Sequence, residues 1–158
     1  MIHFFGVPAI LFSAIVFGCH LTLPGVVVPS VPLLWQTHKF SAGTFWMLVY
    51  VLYYLTIDFI GCAMFGPVLL GMYATGVKWV LEDQELARKK TDGTAPNWTG
   101  TGAALKWALW VQIASWYAQI HPGHAILEGA KPALLDSLGG SFSSRPLFAF
   151  YEGVWFLG

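Results

Sequence analysis

The stretch Phe40–Leu81, FSAGTFWMLVYVLYYLTIDFIGCAMFGPVLLGMYATGVKWVL, decides the fold. Its only charged residues are Asp58 and Lys78. It is too long and too apolar for one buried helix. Asp58 divides it into runs of about Phe40–Ile57 and Phe59–Leu81, and a bilayer crossing needs roughly 20 apolar residues. The stretch therefore reads as two transmembrane helices joined at Asp58.

Working outward, two more windows fit the same length: about Phe4–Leu23 (FFGVPAILFSAIVFGCHLTL) and about Gly102–Ile120. Pro24, Pro29 and Pro32 fill the first connection at a spacing that prevents a helix. The run Glu82–Asp92 (EDQELARKKTD) opens a hydrophilic loop over 82–101. A last apolar piece, Pro146–Gly158, is too short to span and reads as a re-entrant or interfacial helix. The N-terminal window lacks a basic segment, and His3 and Pro8 interrupt it, so it reads as a retained span rather than a signal peptide. The expectation is an all-α polytopic membrane protein with about four spans and one domain over 1–158.

Composition agrees. Of 158 residues, 10% are charged and 56% hydrophobic, whereas soluble domains average about 25% charged. Eight basic residues balance eight acidic ones, which leaves no excess cation for nucleic acid. Cys19 and Cys62 lie in apolar runs and read as buried hydrophobes rather than a disulfide. Trp and Tyr gather near the window ends, as in aromatic belts.

Parity then sorts the polar groups. With Met1 on one face, the Asp58 turn and the stretch after Ile120 fall on that same face. Lys39, Lys78, Arg88, Lys89, Lys90 and Lys106 fall on the other, which makes that second face cytosolic. A sequon at Asn97 also lies there, and its glycosylation would invert the assignment. His3, Asp58, His121, His124 and Glu128 all come to the first face, and Asp136 follows them in sequence. Ionisable groups at membrane depth are costly and are candidates for function. Imidazoles with a carboxylate form the ligand set of non-haem Fe(II). His124 and Glu128, four apart, would share a helix face. Pro122-Gly123 points to a turn between His121 and His124. Other readings stand beside these. A histidine at a helix end can be an interfacial hydrogen-bonder, Asp58 can cap the third span, and Glu128 can pair with Lys131. Two histidines on facing helices would also serve haem. His20 and His38 fall on the opposite face and read as structural. No phosphate loop, GxSxG elbow or CxxC is present.

The segment Trp116–Gly158, WYAQIHPGHAILEGAKPALLDSLGGSFSSRPLFAFYEGVWFLG, is the most specific in the chain. It resembles the C-terminal signature of the phytosphingosine-to-odd-chain-fatty-acid (2-hydroxy fatty acid α-dioxygenase) family of small endoplasmic-reticulum membrane proteins. The resemblance rests on Gln119, Gly123-His124, Glu128, Pro132-Ala133-Leu134, Asp136, Pro146-Leu147-Phe148 and Glu152. Ile2-His3 with Gly6 and Pro8 is similar to the family's first span, and Asp58 with Gly61 to a weaker Asp-x-x-Gly feature. Members carry a further His ahead of the Ile-His, a position this chain does not include.

The resemblance implies iron-dependent α-oxidation. A long-chain 2-hydroxy fatty acid would lose its carboxyl carbon with dioxygen and become an acid one carbon shorter. It further implies an endoplasmic-reticulum membrane setting in sphingoid-base catabolism. Fe(II) would be held by His3 and His124, completed by His121 and Glu128, with His3, His124 and Glu128 as the catalytic set. Lys131, Arg145 and Asp58 are the candidates for substrate binding. The alternative is a non-enzymatic lipid-binding or scaffold protein that retains the fold.

Overall fold

A computed structural model describes residues 2–93, 102–119 and 145–157. Among the described residues the chain forms helix α1 (Ile2–His20), strands β1 (Thr22–Val28) and β2 (His38–Ser41), then helices α2 (Ala42–Ile57), α3 (Phe59–Thr91), α4 (Ala103–Ala118) and α5 (Arg145–Leu157). The chain is mostly helical, as its apolar windows predict.

Three local features depart from the sequence reading. The all-α expectation fails at the first connection, which is an antiparallel hairpin pairing Val28 with His38, Val27 with Lys39 and Thr22 with Ser41. The register shifts between Thr22 and Val27. Pro24 has no N–H to donate to a ladder, and Gly25 takes φ +84°. Prolines that block a helix still permit an edge strand. Second, the hydrophilic stretch 82–101 is helical through Thr91. Glu, Leu, Ala, Arg and Lys are strong helix formers, and Arg88 pairs with Glu85 (3.0 Å) and Asp92 (3.4 Å) one turn away. Third, the windows lose their ends. The hairpin takes Thr22 and Leu23, and Ser41 caps α2. Among the described residues one helix, α3, is long and apolar enough to cross a bilayer, while α1 from Phe5 and α2 are apolar but shorter. At 1.5 Å per residue α2 reaches about 24 Å and α3 about 50 Å.

Side chains set the helix starts. Ser41 Oγ accepts from Thr44 N (3.2 Å), and Thr44 Oγ1 accepts from Ser41 N (3.3 Å), a reciprocal capping box. Asp58 Oδ1 accepts from Ile60 N (2.9 Å) and Gly61 N (3.1 Å) at the start of α3. The cap of α4 comes from another helix: buried Asp83 of α3 accepts from Ala104 N through Oδ2 (3.0 Å).

The bundle centres on α1, which packs against the four other helices. It runs antiparallel to α2, and Gly18 meets Gly43 so closely that a Cβ on Gly18 would lie 2.7 Å from Gly43 N. Small residues allow such crossings between apolar helices. It also runs antiparallel to α4. Val16 packs with Ala104 and Ala108, and Gly6 lies against Gln119. Midway, the Gln112 amide donates to buried Ser13 Oγ and its oxygen accepts from Trp116 Nε1 (2.8 Å). An aromatic series then joins α2 to α3 and α5: Tyr50 to Tyr54 (5.6 Å between centroids), Tyr54 to Phe65 (5.9 Å) and Phe65 to Phe150 (5.3 Å). The outer faces stay apolar, with Leu48, Leu52 and Leu55 of α2 and Leu109, Trp110 and Ile113 of α4 exposed.

Candidate functional site

The antiparallel packing gathers three chain positions at one end of the bundle: the first turns of α1, the Asp58 corner between α2 and α3, and the last turn of α4. Two contacts define that end. A Cβ on Gly6 would stand 2.8 Å from Gln119 Nε2 and 2.9 Å from its Cγ, so glycine is what lets the buried Gln119 side chain lie against α1. At the corner, the Tyr151 hydroxyl of α5 donates to Asp58 Oδ2. Gly61 lies directly beneath that hydroxyl, which occupies the space a Cβ would need.

Asp58 thus has both oxygens engaged, one by the α3 N-terminus and one by α5. These donors stabilise the ionised carboxylate and hold its pKa below the ordinary carboxylate value, with the Tyr151 hydroxyl the largest cause, then the Gly61 N–H. Of the two roles open to Asp58 in the sequence, the cap is the one seen. The same residue also fastens the C-terminal helix.

The remaining sequence candidates are distributed as follows. His3 lies in the first turn of α1, one turn before Gly6. Arg145 is the first residue of α5. His121, His124, Glu128, Lys131 and Asp136 lie outside the described residues. Among the described residues, no three His, Cys, Asp or Glu side chains group closely enough to hold a metal ion. The described ends of the segments that carry the candidates do meet. Gln119, two residues before His121, packs on the α1 turn that follows His3.

The opposite end holds the other two histidines in structural roles. His38 Nδ1 donates to the Gln36 carbonyl (2.8 Å), and its Nε2 pairs with the Tyr73 hydroxyl (2.7 Å). The Tyr73 oxygen in turn pairs with Thr44 Oγ1 (2.7 Å). His20 Nδ1 bonds the Val16 carbonyl (2.9 Å), with Nε2 3.9 Å from Asp83 Oδ2.

Sequence reasoning missed Tyr151. The signal available was Gly61 itself, a bare residue three after a capping aspartate, which implies a close neighbour over the first turn of α3. The same logic applies to Gly6 and Gln119, both noted in the sequence without being paired.

Comparison with known proteins adds one finding. No curated protein and no solved structure matches the chain. Residues 1–154 match the family described as 2-hydroxy-palmitic acid dioxygenase Mpo1-like, a description that names oxidative lipid chemistry. With nearly the whole sequence matched, the chain belongs to the 2-hydroxy-palmitic acid dioxygenase Mpo1-like family.

Proposed function

We propose that this chain is a multi-pass endoplasmic-reticulum membrane enzyme that uses Fe(II) and dioxygen to shorten long-chain 2-hydroxy fatty acids by one carbon, a step in sphingoid-base breakdown. Family membership supports the substrate class. The observation that carries the site is the packing of Gly6 on Gln119. It joins the helix turn after His3 to the residue two before His121.

The donor chemistry fits iron. His3, His121, His124 and Glu128 would hold Fe(II), three imidazoles and a carboxylate that leave positions open for substrate. Fe(II), when bound, supplies Lewis acidity and an electron source for dioxygen, which side chains alone do not. The protein's own groups do the rest. Lys131 or Arg145 steadies the substrate carboxylate by a charge-assisted hydrogen bond. Asp58 acts at one remove, fixing the α2–α3 corner and α5. The acyl chain lies along the apolar outer faces, where Leu52 and Ile113 are exposed. Those faces also support the bilayer setting, since apolar patches beyond a few hundred Å² are rare on soluble monomers.

Iron content per chain and turnover of 2-hydroxy-palmitate by purified protein test this reading. Bound iron, and a product one carbon shorter that disappears in His3→Ala and His124→Ala, is the expected result. Turnover that survives both substitutions would overturn the ligand assignment. Protein that carries lipid but neither iron nor activity would establish the scaffold alternative.

A further inference from the structure

The hairpin at the other end of the bundle presents an unusual surface. Leu21, Leu23, Val26, Val27, Leu33 and Leu34 are all exposed, and Leu33 is 105% exposed at the tip with φ +69°. Met1–Thr37 contains no charged residue, and Lys39 is the first cation.

Position in the fold limits what can cover this surface. Trp35 and His38 pack on Tyr73, with ring centroids 5.3 Å and 5.8 Å away. Beyond that contact, residues 30–37 and α3 enclose a cleft of about 1370 Å³ that runs from Ala74 to Lys89. Its hairpin wall mixes apolar Val31, Leu34 and Trp35 with polar Ser30, Gln36 and Thr37, and its α3 wall carries Lys78, Arg88 and Lys89 among acids. The loop therefore lies beside the point where α3 changes from apolar Val80-Leu81 to charged Glu82-Asp83.

We propose that this hairpin seats in the headgroup layer of a bilayer, with Leu33 and Leu34 at the acyl boundary and Lys39 and Lys78 reaching anionic headgroups. The inference rests on the membrane reading given under Proposed function. A two-stranded hairpin leaves its outer N–H and C=O groups unpaired, which excludes it from the hydrocarbon core. Its exposed leucines and valines are equally ill-suited to bulk water. The headgroup layer satisfies both, because water reaches the backbone while acyl chains receive the side chains. Exposed Lys39 adds attraction to acidic lipid, and exposed Lys78, 3.9 Å from Glu82 one turn on, adds less. Edge pairing with a second copy is the competing way to cover a strand. Pro24 interrupts the donor row of β1 that it needs, and β2 is only four residues long.

The test uses full-length protein in vesicles of phosphatidylcholine and phosphatidylserine. A polarity-sensitive fluorophore is placed in turn at Leu33→Cys, Leu52→Cys and Lys89→Cys. Cys19 and Cys62 are buried and remain unlabelled in the folded chain. Expected is a position-33 probe that loses most of its emission to lipid bearing a shallow nitroxide and little to aqueous iodide. The position-52 probe then responds to a deep nitroxide and the position-89 probe to iodide. Iodide quenching at 33 as strong as at 89, with 52 still in lipid, overturns the hairpin inference and leaves the membrane reading intact. Iodide quenching at 52 as well overturns both. A position-33 probe shielded from both quenchers, together with disulfide crosslinking of unlabelled Leu33→Cys protein under an added oxidant, replaces the lipid with a second copy.

Discussion

Asp58, Gly61 and Tyr151 work as a unit at the scale of single residues, and they yield two predictions. The Asp58 carboxyl has a lowered pKa in the folded chain. The folded state therefore binds fewer protons there than the unfolded state near the ordinary aspartate value of about 3.9. The resulting stabilisation is complete above that value and fades as pH falls through the native pKa. Asp58→Asn is expected to flatten the acid limb of thermal stability below about pH 4. An acid limb identical to wild type would contradict the assignment. For the second prediction, Gly61→Ala drives a methyl group into the Tyr151 hydroxyl and lowers the melting temperature. Combined with Tyr151→Ala, the same methyl has room, so the two losses are expected to be less than additive in a double-mutant cycle. Full additivity would show that the hydroxyl and Gly61 are not neighbours in solution.

At the scale of elements, buried polar links decide how helices meet. Tyr73 is fully buried in α3 and joins His38, the first residue of β2, to Thr44 at the start of α2. Tyr73→Phe leaves both partners short of a hydrogen bond and is expected to cost about 1–3 kcal/mol, measured by chemical unfolding in detergent. A loss much smaller than that would mean that water replaces the hydroxyl. Arg88→Ala, by contrast, removes only exposed one-turn ion pairs and should leave stability nearly unchanged. Helix positions were legible in the sequence, because unbroken apolar runs have one comfortable backbone form. Two things were not legible. The hydrophilic stretch 82–101 reads as a loop by its charge, although the residue types over 82–91 favour a helix. The hairpin was hidden because Pro24, Pro29 and Pro32 say what the connection cannot be, while strand pairing depends on His38–Ser41 arriving from beyond them. At the candidate site, the polar residues could be assigned to one end by alternation alone. Tyr151 could not, because its partner Asp58 lies 93 positions away and no local pattern announces it.

For the whole molecule, the governing feature is a bundle with apolar matter both inside and outside. Its interior is closed by aromatic rings and glycine contacts, while the outer faces of α2 and α4 expose large apolar side chains. Such faces suit a lipid solvent. Leu52→Lys, on the outer face of α2, is expected to reduce recovery in the membrane fraction. A charge at mid-span costs about 2.5–3.5 kcal/mol on insertion scales. Gln84→Lys, on the charged extension of α3, should have no such effect, and equal losses at the two positions would count against a bilayer around α2. The order of synthesis gives the Tyr151 clasp a temporal meaning. Ribosomes add roughly 5–20 residues per second, so about 5–20 s separate the emergence of Asp58 from that of its tyrosine. During that interval the corner is held without α5, by its own backbone cap and by the packing of α2 on α3. The final helix thus acts as a seal on a nascent chain, and a product stalled before it would present an unfastened corner to chaperones and quality-control proteases.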